Sequence, residues 1–406
     1  MLSHVKNLGL RTKLGVLGIL ALLAAAIPAA WLVIDKQRVV AQMDVQASGV
    51  VPIQSALRVV QLTQKHRGLS AGVLSGNTAL VDEHKATREA LNAATRSLRE
   101  VAVAASPELA KLTEKIAEQW KALAEAVQAK QIVPAESFAR HTALVAAQLD
   151  LVDELVDVYG LAVIDEAGLA HVVSSVLRSQ PYMVEALGQM RAKGTAALTA
   201  HQLSADDRAV VTALLDRAMR AEEGYTKDLR KATLLVPNFE ALGSRLTEAA
   251  SAVRAAAGLV TKEVLRSDTL SFEPKTYFAE MTRAIDTQYA MSKDGLDLLA
   301  QTLNQRAAAA RQRMLLAAAG LLVLLTAAAV LGWIGTNRAL SGLADATAAA
   351  KELAAGNLAV TLHWASDDEI GQLQQTMAKM AESLREVVKR VQTGAQSVDT
   401  ACNEIA

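Results

Sequence analysis

The sequence predicts an all-α membrane protein in which a helical bundle lies between two transmembrane helices. Hydrophobic residues make up 51% of the 406 residues, but aromatic residues make up only 3%. Because aromatic side chains usually fill much of a compact core, this composition favours long, thin helices. Two uncharged apolar runs are long enough to span a bilayer. No stretch shows the alternation of polar and apolar residues that is typical of a half-buried strand.

The charge and the residue types exclude several classes of protein. The chain carries 42 Lys and Arg against 42 Asp and Glu, without a basic block, so we expect no nucleic-acid partner. The single cysteine, Cys402, excludes a disulfide within the chain and a cysteine-rich metal site. The sequence has no glycine-rich phosphate loop and no nucleophile elbow, and no two histidines have ligand spacing on one helix. We therefore expect no enzymatic activity, no metal and no cofactor.

The two apolar runs, residues 14–34 and 314–335, are predicted transmembrane helices. Each can cross a hydrocarbon core of about 30 Å. A cleaved signal peptide, with Ala24-Ala25-Ala26 as its cleavage site, is the alternative for the first run. A buried helix of a soluble protein is the alternative for the second.

Basic residues before the first run predict the topology. Lys6, Arg11 and Lys13 precede it and no acidic residue does, which favours a cytoplasmic N-terminal tail, residues 1–13. Residues 35–313 then lie on the outer, periplasmic side as an all-helical sensor or spacer, and the chain from residue 336 onward lies inside.

The periplasmic segment is predicted to be helical throughout. Ser204-Ala205-Asp206-Asp207 resembles a capping box and precedes apolar residues at helical spacing. Prolines fall between the helical stretches, where helices begin or break. These prolines are residues 107, 134, 181, 237 and 274.

One helical stretch carries a candidate site. Gly68, Gly72 and Gly76 recur at a spacing of four residues, which predicts a flat strip that another helix or a small ligand can approach. Glycine within a helix costs about 1 kcal/mol relative to alanine, so three of them require a compensating contact. Beside the strip, Arg67 presents a rigid donor fork to an anion, and Ser70 is a second candidate ligand group. Plain helix packing is the alternative interpretation.

This stretch resembles the Arg-Gly-x-Ser-Ala-Gly signature of nitrate- and nitrite-sensing (NIT-type) helical domains in bacterial receptors. The matching residues are Arg67-Gly68-Leu69-Ser70-Ala71-Gly72. The resemblance implies an anion site between helices, with Arg67 as an anion-binding residue. Where the signature usually has an acidic residue, this chain has His66, which leaves the identity of the anion open. Arg178, near Pro181, is a further candidate, for which a solvated arginine at a helix end is the alternative.

The segment after the second transmembrane helix is predicted to form helix, connector and helix. Gly356-Asn357-Leu358 ends the first helix, a connector with Val360, Leu362 and Trp364 follows, and Ser366 is the expected N-cap of the second. Apolar residues of the second helix follow alternating steps of three and four, which predicts a parallel coiled coil and hence a dimer. They are Ile370, Leu373, Met377, Met380, Leu384, Val387 and Val391.

Residues 336–388 resemble a HAMP linker. The resemblance is carried by Gly356-Asn357-Leu358 and by Asp368-Glu369-Ile370-Gly371-Gln372-Leu373. It implies a parallel four-helix coiled coil formed by a homodimer, with Gly356, Leu358, Asp368, Glu369, Gly371 and Leu373 as the family's HAMP positions. Ala339 stands where the family commonly has a proline.

Residues 389–406 resemble the start of the signalling coiled coil of methyl-accepting chemotaxis proteins, and the sequence ends before the methylated hairpin. The resemblance implies a homodimeric chemoreceptor of the bacterial inner membrane. Such a receptor senses a small periplasmic ligand and signals to a cytoplasmic chemotaxis histidine kinase and its coupling adaptor when the full hairpin is present.

Two alternatives to a chemoreceptor stay open. One is the sensor part of a membrane histidine kinase or cyclase lacking its catalytic domain, although no histidine follows His363. The other is a structural membrane module that binds no ligand.

Overall fold

The computed structural model describes residues 9–361 and 367–405, with the backbone alone at residues 103–104 and 399–405. The described residues form helices and no strands, which confirms the all-α fold class. They fall into two compact units. One is Arg38–Arg311, and the other combines the described parts of Met1–Gln37 and Gln312–Ala406.

The α-helices of the described chain are numbered α1 to α10. They are α1 Leu10–Leu74, α2 Val81–Ala105, α3 Pro107–Gln128, α4 Pro134–Val158, α5 Ala167–Val173, α6 Gln180–Ala200, α7 Ala205–Leu235, α8 Gly243–Val260, α9 Pro274–Ala354 and α10 Glu369–Ile405. Short 3₁₀ turns occupy Thr78–Leu80, Leu161–Val163 and Pro237–Leu242, and π-helical turns occupy Ser174–Ser179 and Thr261–Leu265.

Helix starts follow the local sequence. Pro107, Pro134 and Pro274 are each the first residue of a helix, where the missing backbone N–H leaves no hydrogen bond unmade. The Ser204 hydroxyl accepts a 3.0 Å hydrogen bond from the backbone N–H of Asp207, so Ser204 is the N-cap of α7, as predicted.

Helix α6 lies at the centre of the unit Arg38–Arg311. Thirteen of its 21 residues are buried, which is typical of a helix surrounded by others rather than lying at the surface. Its buried residues are mostly apolar or small, but Glu185 and Arg191 are buried among them. Because a buried charge needs a partner, these two side chains mark the part of the core where specific polar contacts must form.

Helices α1 and α9 each contain an apolar segment that fits a membrane span. Mean hydropathy reaches 2.5 in α1 and 2.6 in α9, and none of either apolar window is buried. Trp31 and Trp333 are both exposed in these segments, each at 69%, which suits the interfacial position of tryptophan. The alternative of a buried soluble helix for the second run is therefore wrong. The two candidate membrane helices flank the helical sensor region.

A glycine follows the C-terminal end of α9, and an aspartate caps the N-terminal end of α10, on the two sides of the connector. Helix α9 ends at Ala354, and Gly356 adopts a φ of +87°. The N–H of Asn357 bonds to the Glu352 carbonyl (3.0 Å), as in a Schellman cap. Helix α10 begins at Glu369, and its N-cap is Asp368, whose Oδ1 accepts bonds from the N–H groups of residues 370 and 371. Leu362, Trp364 and the expected N-cap Ser366 lie outside the described residues.

The apolar residues of α10 divide between two faces. Met377 is buried against Ala346 and Ala349 of α9, and Gln374 Nε2 donates to the Gly342 carbonyl (2.9 Å). The other seam residues after Ile370 are exposed on this single chain. They are Leu373, Met380, Leu384, Val387 and Val391.

A cluster of histidines joins α1, α2 and α4 inside the sensor unit. His66 Nδ1 lies 2.8 Å from His141 Nε2, and the Ser70 hydroxyl lies 3.1 Å from His66 Nδ1 and 3.0 Å from His84 Nε2. His141 Nδ1 lies 2.7 Å from the Ser137 carbonyl, so it must donate there. In the neutral ring, Nε2 is then the acceptor for the Nδ1–H of His66.

Burial favours this neutral state. It is the main cause that lowers the pKa of His66 and His84, and it lowers the pKa of His141 to about 3. Neighbouring cations act in the same direction: Arg88 on His66 and His84, and Arg67 and Arg140 on His141. The carbonyl of Ser137 raises the pKa of His141 but does not offset burial.

The histidine cluster predicts loss of stability in acid. An unfolded histidine binds a proton below pH of about 6.5, whereas the buried neutral histidine does not. The free energy of unfolding should therefore fall as pH decreases below 6.5, by about 1.4 kcal/mol per pH unit for each such histidine. Urea unfolding of residues 38–311 from pH 7.5 to 4.5 measures this slope through Trp120, whose neighbour is His66.

His141→Gln should reduce this slope by about 1.4 kcal/mol per pH unit, which corresponds to one proton, because one buried imidazole is removed. Ser137→Ala is the control, because it changes a neighbour of His141 without removing a titratable ring. An unchanged slope in His141→Gln would contradict this explanation.

Candidate functional site

Arg67 of α1 is buried and ion-paired. Its side chain is 1% exposed, and its Nη1 and Nη2 atoms lie 2.6 and 3.1 Å from the two carboxylate oxygens of Glu185 on α6. Nη1 also donates to Thr142 Oγ1 on α4 (3.0 Å). This is the bidentate geometry that guanidinium groups use for planar oxyanions.

Glu185 is the centre of a polar network that connects α1, α6 and α9. Besides Arg67, its carboxylate accepts hydrogen bonds from Gln64 Nε2 (2.8 Å) and Gln189 Nε2 (2.7 Å). Gln64 Oε1 in turn accepts a 2.6 Å bond from the Tyr289 hydroxyl on α9. Burial, and secondly the charge of Glu185, raise the pKa of Tyr289, so the phenol remains a donor.

Arg191 is a second buried cation beside this network. It is 4% exposed, its Nη1 donates to Thr282 Oγ1 on α9 (2.9 Å), and its Nη2 lies 3.4 Å from the Gln64 carbonyl. Its guanidinium carbon lies 4.7 Å from the centre of the Phe278 ring. Its buried Nε has no hydrogen-bond partner within the described chain. Burial, and secondly the charge of Arg67, lower the pKa of Arg191 to about 10, which leaves it charged at neutral pH.

Two glycines let the arginines pack reciprocally. A Cβ at Gly188 of α6 would lie 2.9 Å from Arg67 Nη2, and a Cβ at Gly68 of α1 would lie 3.4 Å from Arg191 Nη2. Each guanidinium therefore lies against a glycine of the opposite helix. Gly188 leaves room for Arg67 that an alanine would occupy, so this glycine is part of the site.

A cavity gives Arg191 access toward the surface. Its volume is about 490 Å³ and it lies between α1, α2, α6 and α9. Polar and charged lining residues include Arg58, Lys65, Gln64, Thr282, Asp286 and Tyr289. The side chain of Lys65 is half exposed and pairs with Glu83 (2.8 Å). A small ligand that entered here would reach the Arg191 guanidinium and the Gln64–Tyr289 pair.

The structure separates the other residues of the predicted site. Ser70 lies in the histidine cluster and its hydroxyl contacts His66 and His84, away from the Arg67 fork. Gly72 lies against the Leu80 side chain. The predicted strip does not extend to Gly76. Helix α1 ends at Leu74, and Gly76 has a φ of +91° with open space around it.

Gly76 terminates α1 rather than packing against another helix. The Asn77 N–H bonds to the Gly72 carbonyl (3.0 Å) and the Gly76 N–H bonds to the Val73 carbonyl (3.1 Å). This pair is the Schellman motif, in which glycine is favoured because φ is positive.

Arg178 is not part of the site. Its side chain is 51% exposed and lies 3.4 Å from Asp157, as the solvated alternative predicted. Arg191, Glu185 and Gln64 of the site were not predicted from the sequence. The available signal was a helix of mostly small and apolar residues in which a glutamate and an arginine stand six positions apart with Gly188 between them.

Comparisons with known proteins agree with this architecture. A family model described as NIT, nitrate and nitrite sensing, matches residues 58–297, more than half of the chain. A HAMP domain model matches residues 335–386. No sequence among the curated proteins matches the chain.

A solved structure, "Structure of the NasR transcription antiterminator", is similar to this chain with a TM-score of 0.51 and 17% identity. The similarity covers 91% of this chain and 99% of that one. At this identity it shows a shared helical fold. The chain belongs to the NIT family and combines its sensing domain with a HAMP domain, which makes it a sensor of the membrane-associated, signal-transducing type.

Proposed function

We propose that the protein is a transmembrane receptor for a small oxyanion of the nitrate and nitrite class, bound at Arg67 and Arg191. The observation that carries the proposal is the charge count of the buried network. Its side chains below 10% exposure include two guanidinium groups and one carboxylate, that of Glu185. Asp286 also acts on Arg191, but its side chain is exposed. A buried charge without a buried partner is costly, so a monovalent anion here would balance the second arginine within the network.

The chemistry of the site fits a planar oxyanion. Guanidinium groups offer forked N–H donors to such anions, and Arg191 still has an unpartnered Nε. Phe278 and Phe138 face the two guanidiniums, at 4.7 Å from Arg191 and 5.3 Å from Arg67. These rings favour the cations and offer no hydrogen bond to a competing polar ligand. The description of the NIT family supports nitrate and nitrite as the first ligands to test.

Helix α9 supports transmembrane signalling. It carries Thr282 and Tyr289, which contact Arg191 and Gln64, and it continues through the candidate membrane segment to Ala354. A ligand that binds two arrangements of these contacts with different affinity would shift the equilibrium between them. The HAMP domain that follows would receive the resulting change in α9.

The output and assembly are also proposals. The heptad seam supports a homodimer, and the coiled-coil tail supports a chemotaxis receptor that signals to a histidine kinase and its coupling adaptor. The basic N-terminal tail supports a bacterial inner membrane location with a periplasmic sensor. In this proposal the chain itself is no enzyme. The sensor part of a histidine kinase or cyclase is the second candidate, since NIT and HAMP domains also occur together in histidine kinases.

Nitrate or nitrite should stabilise the full-length protein in lipid nanodiscs against thermal unfolding. At one hundred times the dissociation constant, the expected gain is about 2.7 kcal/mol. Arg67→Lys and Arg191→Lys should each weaken binding at least tenfold, because a lysine keeps the charge but has no fork of N–H donors.

Arg178→Lys is the matched control, since this arginine is exposed and outside the site; it should bind as the wild type does. Equal stabilisation of all three variants by the anion would refute an arginine-based site.

The proposed dimer predicts contact between the α10 helices of two copies. In a Cys402→Ser background, Leu384→Cys should form an intermolecular disulfide in membranes, because residue 384 lies on the seam. Lys389→Cys, exposed but off the seam, should cross-link more slowly by at least an order of magnitude. Equal rates at the two positions would contradict a dimer formed by this seam.

A further inference from the structure

Glu185 occupies the position on Arg67 that an oxyanion would need. A carboxylate and a nitrate ion both present two oxygens of a planar, negatively charged group to a guanidinium fork. The two Glu185 oxygens already lie 2.6 and 3.1 Å from Nη1 and Nη2 of Arg67. Nη1 and Nη2 of Arg67 cannot bind both the Glu185 carboxylate and a ligand oxyanion at full hydrogen-bond strength. In the structure, the Glu185 carboxylate therefore occupies the place of the ligand.

We propose that Glu185 is a tethered competitor of the ligand: it closes the Arg67 fork when no ligand is bound, and an oxyanion of the nitrate class displaces it. This inference rests on the proposed function and adds a residue that sets the affinity and starts the signal. The displaced carboxylate does not need to leave the core, because Gln64 and Gln189 already donate to it at 2.8 and 2.7 Å. With the ligand bound, two guanidiniums face one carboxylate and one anion, and the buried charges balance.

Gln64 connects this displacement to the signalling helix. Its Nε2 donates to Glu185, its Oε1 accepts from Tyr289 of α9, and its backbone carbonyl lies 3.4 Å from Arg191 Nη2. A movement of the Glu185 carboxylate would therefore shift the Gln64 amide that donates to it, and the Oε1 of the same amide is bonded to Tyr289 of α9. Glu185 and the signalling helix contact the same side chain, so displacement of Glu185 from Arg67 would be transmitted through Gln64 to the Tyr289 contact.

The test is the affinity of full-length protein in nanodiscs for sodium nitrate, measured by isothermal titration at constant ionic strength. Glu185→Gln removes the competing charge but keeps an oxygen and a similar shape. It should bind nitrate at least tenfold more tightly than the wild type. Glu185→Asp keeps the charge on a side chain one methylene shorter, which weakens the contact between the carboxylate and the Arg67 guanidinium. It should give a smaller gain in nitrate affinity. This second variant carries the test if Glu185→Gln does not fold.

Glu222→Gln is the matched control. Glu222 is also buried and paired with an arginine, Arg254 (2.8 Å), but it lies on α7 outside the network. Its substitution should leave nitrate affinity unchanged. The sign of the Glu185 effect separates the proposal from a structural role, because loss of a merely structural residue would weaken binding.

Each result has a distinct meaning. Tighter binding by Glu185→Gln, including binding that appears only in this variant, supports the tethered competitor. Nitrate binding by the wild type with equal or weaker binding by both Glu185 variants overturns it but keeps the proposed function. Absence of nitrate binding in the wild type and in both variants refutes the two together.

Discussion

The burial of two guanidinium cations inside a helical bundle is the constraint on which the rest of the sensor depends. Removing a cation from water is costly unless it is paired and hydrogen-bonded. Arg67 meets this requirement through Glu185 and Thr142, whereas Arg191 has Thr282, a long contact to the Gln64 carbonyl and the face of Phe278. The difference between the two arginines defines where a further negative charge would be stabilising.

This constraint also explains local features of the sequence. Glycine at position 188 leaves space for the Arg67 guanidinium, whose Nη2 would lie 2.9 Å from a Cβ there. The amides of Gln64 and Gln189 satisfy the remaining lone pairs of Glu185, since a partly satisfied buried network would destabilise the fold. Burial is the main cause that lowers the pKa of the nearby histidines and keeps them neutral, and the positive charges of Arg88, Arg67 and Arg140 act in the same direction.

The sequence predicted those features that depend on neighbouring residues. Helical periodicity, proline positions, the Ser204 cap and the apolar membrane segments are all local, and Arg67 was found through a short motif. Glu185 lies 118 residues from Arg67, and no local pattern specifies a pairing over that distance. Gly76 was misassigned because a spacing of four residues does not reveal that a helix has ended. Arg178 and Arg191 look alike in sequence, and only the packing of α6 shows which one is buried.

Arg67 and Arg191 are proposed to form one anion site, from which an oxyanion displaces Glu185. A crystal structure of the protein grown with nitrate would show whether it does. We expect a planar anion in hydrogen-bond contact with both guanidiniums, with the Glu185 carboxylate withdrawn from Arg67. An Arg67–Glu185 pair at its present distances, with nitrate absent from the site or bound elsewhere, would refute this arrangement.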